Sequence, residues 1–320
     1  MSNLQKIFFS ELKASLPADA LFSNQIASLL GISRSEAYNK ISAKSGLTLQ
    51  QMDSLCKHFN FYFQINPPAQ TSSCRIHFTP FHQGKANMER YITSLYEDLI
   101  KLQAGGLQKL TCSTDDIPIF HLFKYPQLTA FKLFFWNSRI SNKAEVFTAA
   151  SLKTPKYKKL LNTAYQMYEI YQDIPCVEIW NSSATLISLD QIRHAFENNM
   201  ITDKRLRQTI CDQLMLVLHD VEGYAIHSCK QGESKPPFEW YYCDVVSNVA
   251  FLADMEDSRA CFLRFNTFNN MKSTDESICD EVDFWLQFLL NESVGFSGQG
   301  SHLRNKYLLS LRKQIEDLPV

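Results

Sequence analysis

Residues 23–41 have the sequence SNQIASLLGISRSEAYNKI, in which two short amphipathic segments are separated by a tight turn at Gly31-Ile32-Ser33. The apolar positions of both segments recur at the spacing of one helix face: Ile26, Ala27, Leu30, Ala37 and Ile41. Glycine adopts the positive φ at which a chain commonly leaves a helix, and Ser33 with Glu36 forms a capping box that starts the next helix. The pattern therefore predicts a helix-turn-helix whose second helix spans about residues 33–42.

The second of these helices carries polar side chains on the face turned away from the packing. Arginine can donate two hydrogen bonds to guanine, and asparagine can bind adenine in the same bidentate way, at base edges in the DNA major groove. Gln25, near the start of the first helix, and the lysines that follow are placed to bind phosphates. The predicted contacts with double-stranded DNA are Gln25, Ser33, Arg34, Ser35, Tyr38, Asn39, Lys40 and Lys44.

Helices are also predicted on both sides of this segment. An apolar stripe precedes Pro17 and consists of Leu4, Ile7, Phe8 and Leu12. On the other side, Thr48 and Gln51 form a second capping box, which opens a helix with Met52 and Leu55 on its apolar face. Residues 1–66 are therefore expected to fold as a bundle of four to five helices, which is small for an independent domain but viable.

This N-terminal segment resembles the helix-turn-helix domains of the Cro/C1-repressor-like (XRE) class of bacterial regulators. The residues that carry the resemblance are Gln25, Ile26-Ala27, Leu30–Arg34, Ala37-Tyr38, Ile41, Leu47–Leu49 and Leu55–Phe59. The resemblance is closest to large regulators with a poorly characterised C-terminal domain, in which the segments Asp116–Phe120 and Phe131–Trp136 would be expected. It implies a DNA-binding transcriptional regulator, although the recognition helix is less basic than in many relatives and carries Glu36.

Other interpretations of the same segment stay open. Gly-Ile-Ser between amphipathic helices also occurs in ordinary helical hairpins, and the two helices can instead form a docking surface for a protein partner. Glu36 is better explained as a helix cap than as a group that reads a base. Tyr38 suits either packing or contact. Binding to mixed DNA that weakens with salt would distinguish a nucleic-acid partner from a protein partner.

Charge is distributed unevenly along the chain. The 320 residues carry a net charge of −1, but residues 1–66 hold six basic and four acidic side chains, a net +2, and the remainder has a net −3. A strong overall attraction to nucleic acid is therefore excluded, and the N-terminal segment is only mildly basic. A monomer with so little charge would bind DNA weakly, so a homodimer that contacts two half-sites is expected.

The rest of the chain is long enough for a second hydrophobic core. Residues 67–84, which begin with two prolines and a polar run, are expected to be a linker with a candidate first strand at 74–78. Residues 85–320 are expected to form a dimerisation or effector domain, with short strands near 110–112 and an antiparallel meander within 238–265. The expected fold class is mainly α (α+β), with a mostly helical C-terminal domain and a small antiparallel sheet.

Nine cysteines are spread along the chain without a Cys-x-x-Cys pair, and their odd number argues against a complete disulfide framework. Cysteine in such a pattern commonly acts as a small apolar residue in a reduced protein. The N-terminus lacks the apolar core of a secretion signal, and apolar runs such as Leu214–Leu218 are too short to span a bilayer. The chain is therefore expected to be cytoplasmic.

Patterns for catalysis or cofactor binding are weak in the C-terminal part. Gly298–Ser301 lacks the remainder of a phosphate loop, and isolated His and Cys residues near position 230 lack the paired spacing of metal ligands. Glu178 is assigned a surface or capping role, and Ser188 with Gln191 has the spacing of a further capping box. We expect no cofactor, no metal and no enzymatic activity. The aromatic segment 120–136 forms a core or lines a pocket for a small-molecule effector, and a core is the simpler explanation.

Overall fold

The computed structural model of the chain consists of two compact units, Met1–Ser73 and Cys74–Val320. It describes residues 2–14, 16, 22–59, 61, 63, 74–78, 88–141, 146–230, 236–245, 249–266 and 269–318. Most of the expected linker at 67–84 lies outside the described residues. In the described segment 74–78, His77 forms an isolated antiparallel bridge with Lys272. The candidate strand at 74–78 therefore contributes one bridge pair at the edge of the sheet.

The described residues of the first unit form four helices: α1 Ser2–Ala14, α2 Phe22–Leu30, α3 Arg34–Ile41 and α4 Leu49–His58. Their buried side chains form one cluster, and burial of each large apolar member contributes about 1.5–3 kcal/mol. Helix α1 faces this cluster with Phe8, Phe9 and Leu12, whereas Leu4 and Ile7 are 40% and 41% exposed. The apolar stripe of α1 is therefore shorter than its spacing predicts.

The second unit combines helices with a seven-stranded sheet. Its helices are α5 Met88–Ala104, α6 Ile119–Leu122, α7 Pro126–Ser141, α8 Pro155–Gln172, α9 Leu186–Glu197, α10 Lys204–His227, α11 Glu276–Asn291 and α12 His302–Glu316. Its strands are β1 Lys109–Thr114, β2 Cys176–Trp180, β3 Phe238–Tyr242, β4 Ala250–Asp254, β5 Arg259–Asn266, β6 Asn269–Ser273 and β7 Val294–Gly295. The strands lie in the order β6-β5-β4-β1-β2-β3-β7.

This sheet corrects the expected fold class, because it is large and mixed where a small antiparallel sheet was predicted. Strand β1 pairs in parallel with β2, and β2 with β3, while the remaining pairs are antiparallel. The prediction placed 238–242 in an antiparallel meander, and it missed β2 altogether. All five residues of β2 are buried. Parallel strands covered by helices lose the alternation of polar and apolar residues that reveals a strand in sequence.

Helices cover both faces of the sheet. On β2, Ile179 packs in a cluster with Val282 and Leu286 of α11, whereas the neighbouring Trp180 belongs to the larger core that includes residues of α5 to α10 and α12. Because successive side chains of a strand point to opposite faces, α11 covers one face and the other helices cover the second. The central strands are shielded from water, so a charged side chain on them needs a partner inside the protein.

Candidate nucleic-acid interface

The turn between α2 and α3 is closed by two backbone hydrogen bonds. The N–H of Ile32 donates to the carbonyl of Ala27 at 3.1 Å, and the N–H of Gly31 donates to the carbonyl of Ser28 at 3.4 Å. Gly31 has a φ of +63°, and a Cβ added there would meet nothing within 4 Å, so the backbone conformation alone favours glycine. This Schellman arrangement ends α2 and defines where α3 can begin.

The predicted capping box at the start of α3 is confirmed. The Ser33 hydroxyl accepts from the N–H of Glu36 at 3.2 Å, and the Glu36 carboxylate accepts from the N–H of Ser33 at 2.9 Å and from its hydroxyl at 2.8 Å. These hydrogen bonds from the Ser33 backbone and side chain lower the pKa of the Glu36 carboxyl. A DNA contact by the Ser33 hydroxyl would therefore compete with the cap.

Helix α3 buries one side and exposes the other. Ala37 is fully buried in the core of the first unit. Arg34 and Ser35 are exposed, the Tyr38 side chain is 60% exposed, and Asn39 is half-buried. Five of the predicted contact residues thus lie on a helix of eight residues, these four and Lys40. Their side chains differ in access, since Asn39 has less contact with solvent than the first three of them.

The side chains predicted to contact phosphates differ in their exposure and in their hydrogen bonds within the protein. Lys40 is half-buried, and its ammonium group donates to the carbonyl of Gly46 at 2.6 Å. Lys44 is exposed beyond the end of α3, and Gln25 is exposed in the first turn of α2. A phosphate contact by Lys40 would therefore replace an internal hydrogen bond, whereas the side chain of Lys44 is accessible.

Gln5 of α1 ties down the chain after α3 and was not predicted from the sequence. Its Nε2 donates to the carbonyls of Lys40 at 2.6 Å and Ser45 at 2.8 Å, and its Oε1 accepts from the N–H of Leu47 at 3.0 Å. One side-chain amide thus binds a carbonyl near the end of α3 and two backbone groups of the loop between α3 and α4. A single glutamine gives no sequence signal for this role, because its partners lie 35 to 42 positions away.

In the second unit, two assignments made from local patterns are wrong. Glu178 is completely buried on β2 beside His121 of α6, and so has no surface or capping role. Ser188 and Gln191 do not form a capping box, because α9 has no side-chain cap, and both side chains accept hydrogen bonds from the ammonium group of Lys132. In both places the partner comes from a distant part of the chain.

The glycine-rich segment before α12 is a helix start held from inside. The Ser301 hydroxyl accepts from the N–H of Arg304 at 3.2 Å. The buried guanidinium of Arg304 donates to the carbonyls of Phe296 at 2.7 Å and Gly298 at 2.5 Å. These bonds give the segment a structural explanation that involves no bound anion.

Neither a metal site nor a membrane-spanning helix is found in the part of the chain that the structure describes. No three His, Cys, Asp or Glu side chains of that part are grouped so that they could hold a metal ion. None of its helices combines the length and the apolar character needed to cross a membrane.

Comparison of the chain with protein-family models, with curated proteins and with solved structures finds no match. The function therefore has to be inferred from the residues of the chain itself. The exposed side of α3, together with its flanking turns, is the surface for which the residue types suggest a specific class of partner.

Proposed function

We propose that the chain is a sequence-specific DNA-binding transcriptional regulator of the helix-turn-helix type, in which α3 enters the major groove. The observation that carries this proposal is the exposure of Arg34, Ser35 and Tyr38 on a short helix whose other side is packed. In this proposal Arg34 binds guanine, Asn39 binds adenine, and Ser35 and Tyr38 contact bases or phosphates. Gln25 and Lys44 would bind the DNA backbone.

The way α3 is held supports this role. Its start is defined by the turn at Gly31 and the cap at Ser33, and its C-terminal end is bound by Gln5. A recognition helix must present its side chains in a defined position before DNA arrives, because ordering them on binding would cost free energy. A helix anchored at both ends meets that requirement.

We further propose that the protein binds DNA as a homodimer. The first 66 residues carry a net charge of only +2, and two of their lysines have internal partners. Lys40 donates to a backbone carbonyl, and Lys57 forms an ion pair with Asp53 at 2.7 Å. Few lysines remain for phosphates, so a second copy on an adjacent half-site would be needed for useful affinity.

The proposal is tested by selecting preferred duplexes from a random-sequence DNA library with the full chain. Affinities for the selected duplex and for a scrambled one are then measured at two salt concentrations. Arg34→Ala should lower the affinity for the selected duplex about tenfold to a hundredfold and leave the scrambled duplex nearly unaffected, because a bidentate base contact supplies about 1–3 kcal/mol of discrimination. Lys44→Ala should weaken binding to both and reduce the salt slope by about one.

Lys101→Ala serves as the matched control, because Lys101 is an exposed lysine on α5 of the second unit. It should leave both affinities unchanged. If Arg34→Ala weakened both duplexes equally, Arg34 would contact phosphate only. If no duplex bound in a salt-dependent way, a protein partner would replace DNA. The exposed ring of Tyr38 also suits that alternative, because aromatic side chains are enriched at protein interfaces.

A further inference from the structure

A cavity of about 460 Å³ lies within the second unit. It is lined by α5, by α6 and the chain that precedes it, by α7 and α9, and by strands β1, β4, β5 and β6. Its volume falls in the range of about 300–1,000 Å³ typical of sites for small organic molecules. Phe265 of β5 both lines the cavity and is 59% exposed, so the cavity reaches solvent at this residue.

Most of the wall is apolar. Aliphatic and aromatic side chains come from the helices and from the sheet, among them Leu95, Leu99, Leu110, Phe120, Phe251 and Phe262. Covering such a surface with an apolar molecule is favourable, because water in contact with the surface is released. The apolar wall therefore favours a ligand that is itself mainly apolar.

One corner of the cavity is polar and is built around a buried lysine. Lys132 of α7 is 2% exposed, and its ammonium group contacts Asp116 at 3.1 Å, Ser188 at 2.8 Å and Gln191 at 2.9 Å. Since an ammonium group has three protons to donate, these three acceptors use all of them. The Ser188 hydroxyl in turn donates to Asp116 at 2.8 Å. Lys132 is thus held in place and its charge is matched by Asp116.

The other charged side chains of the wall are paired in the same way. Arg264 of β5 forms a two-bond ion pair with Asp115, and Asp98 of α5 pairs with Lys272. Every charge that lines the described wall therefore has an opposite charge in contact with it. A charged ligand would lose its hydration on entry and find no unmatched charge to replace it, which is costly.

We propose that this cavity binds an uncharged organic molecule that is mainly apolar and carries one polar group. The apolar part lies against α5 and the sheet, and the polar group lies beside Asp116 and Gln191. Gln191 accepts from Lys132 through its Oε1, which leaves its side-chain nitrogen as the donor for a carbonyl or hydroxyl oxygen of the ligand. This proposal concerns the second unit alone and does not depend on DNA binding by the first.

The test uses two fluorescent probes with the same ring system. N-phenyl-1-naphthylamine is uncharged, and 8-anilino-1-naphthalenesulfonate adds a negative charge. The full chain should bind the uncharged probe at one site. The dissociation constant of this probe should be at least about tenfold lower than that of the sulfonate, because only the sulfonate would bring an unmatched charge into the cavity. Equal or tighter binding of the sulfonate would overturn the proposal.

Filling the cavity locates the bound probe. Leu95→Trp replaces a leucine of the wall with a bulky indole ring and should weaken binding of the uncharged probe at least about tenfold. Leu161→Trp is the matched control, because Leu161 is also a half-buried helical leucine of the second unit but does not line the cavity. Equal affinities of wild type and Leu95→Trp would place the probe elsewhere and overturn the proposal.

Asp116→Asn tests the charge argument without filling the cavity. Asparagine keeps an oxygen for Lys132 but removes the matching charge, so Lys132 becomes an unpaired cation at the wall. The ratio of the two dissociation constants should shift about tenfold toward the sulfonate. An unchanged ratio would overturn the proposal. None of these readouts involves DNA, so their failure would leave the proposed regulator function untouched.

Discussion

The Nε2 atom of His121 lies 2.9 Å from the Oε1 atom of Glu178, and both side chains are buried. The carboxylate also accepts hydrogen bonds from the indole N–H of Trp180 at 2.8 Å and from the hydroxyl of Tyr171. A charge inside a folded protein is tolerated only when such donors surround it. Because Glu178 belongs to β2 and His121 to α6, the pair joins the centre of the sheet to the helices that cover it.

Glu178→Leu should lower the free energy of unfolding of the second unit by about 3–5 kcal/mol, because three buried donors would lose their acceptor. Glu178→Gln should cost less, since its amide oxygen can still accept. Urea unfolding followed by tryptophan fluorescence measures this effect specifically, because all four tryptophans lie in the second unit. Glu281→Leu, at an exposed position of α11, is the control and should change the free energy by less than about 0.5 kcal/mol. A similar loss in both leucine variants would contradict the role of the buried pair.

The pKa of Glu178 predicts how this stability depends on pH. Burial tends to raise the pKa of the carboxyl, but the charge of His121 and the hydrogen bonds from His121 and Tyr171 outweigh burial and hold it below its usual 4.5. A carboxyl with a lowered pKa stabilises the fold fully above its unfolded-state pKa, and the stabilisation is lost as the pH falls through the folded-state value. The advantage of wild type over Glu178→Gln should therefore shrink as the pH falls through the folded-state pKa of Glu178. Urea unfolding from about pH 7 to about pH 3 checks this, and an advantage that grew in acid would contradict it.

Gln5→Ala should destabilise the first unit by about 1–3 kcal/mol, because the carbonyls of Lys40 and Ser45 and the N–H of Leu47 would each lose the hydrogen bond from Gln5. Hydrogen exchange at the Leu47 amide, which should become faster, gives a local measurement. Gln50→Ala on the exposed side of α4 is the control and should leave that exchange rate unchanged. Equal exchange in wild type and Gln5→Ala would show that the three bonds do not hold the loop.

Ala43→Gly should stabilise the first unit by about 0.5–1 kcal/mol. Ala43 has a φ of +57° in the turn after α3, where its Cβ is unfavourable and glycine is not strained. Gly31→Ala is the opposite experiment at a φ of +63°, and it should destabilise by about 1 kcal/mol. Thermal unfolding followed by circular dichroism compares the two variants with wild type. Loss of stability in Ala43→Gly would mean that the left-handed turn is not maintained in solution.

Local sequence was sufficient to predict the starts of α3 and α4. The capping boxes Ser33–Glu36 and Thr48–Gln51 were predicted and are present, because each needs only two side chains three positions apart at a helix start. The turn at Gly31 follows equally from one residue and its backbone. The exposed polar residues of α3 follow from this local pattern, and their role in binding DNA stays a prediction.

The tertiary structure alone decided the sheet and the charged groups of the second unit. Ser188 and Gln191 have the spacing of a capping box, yet both bind Lys132, which is 56 and 59 positions away. Strand β2 gives no alternating pattern because both of its faces are covered, and Glu178 within it gains its partners only when α6 and α8 pack against the sheet. Which distant segments meet depends on the free energy of the whole packed arrangement, and this cannot be read from the spacing of neighbouring residues.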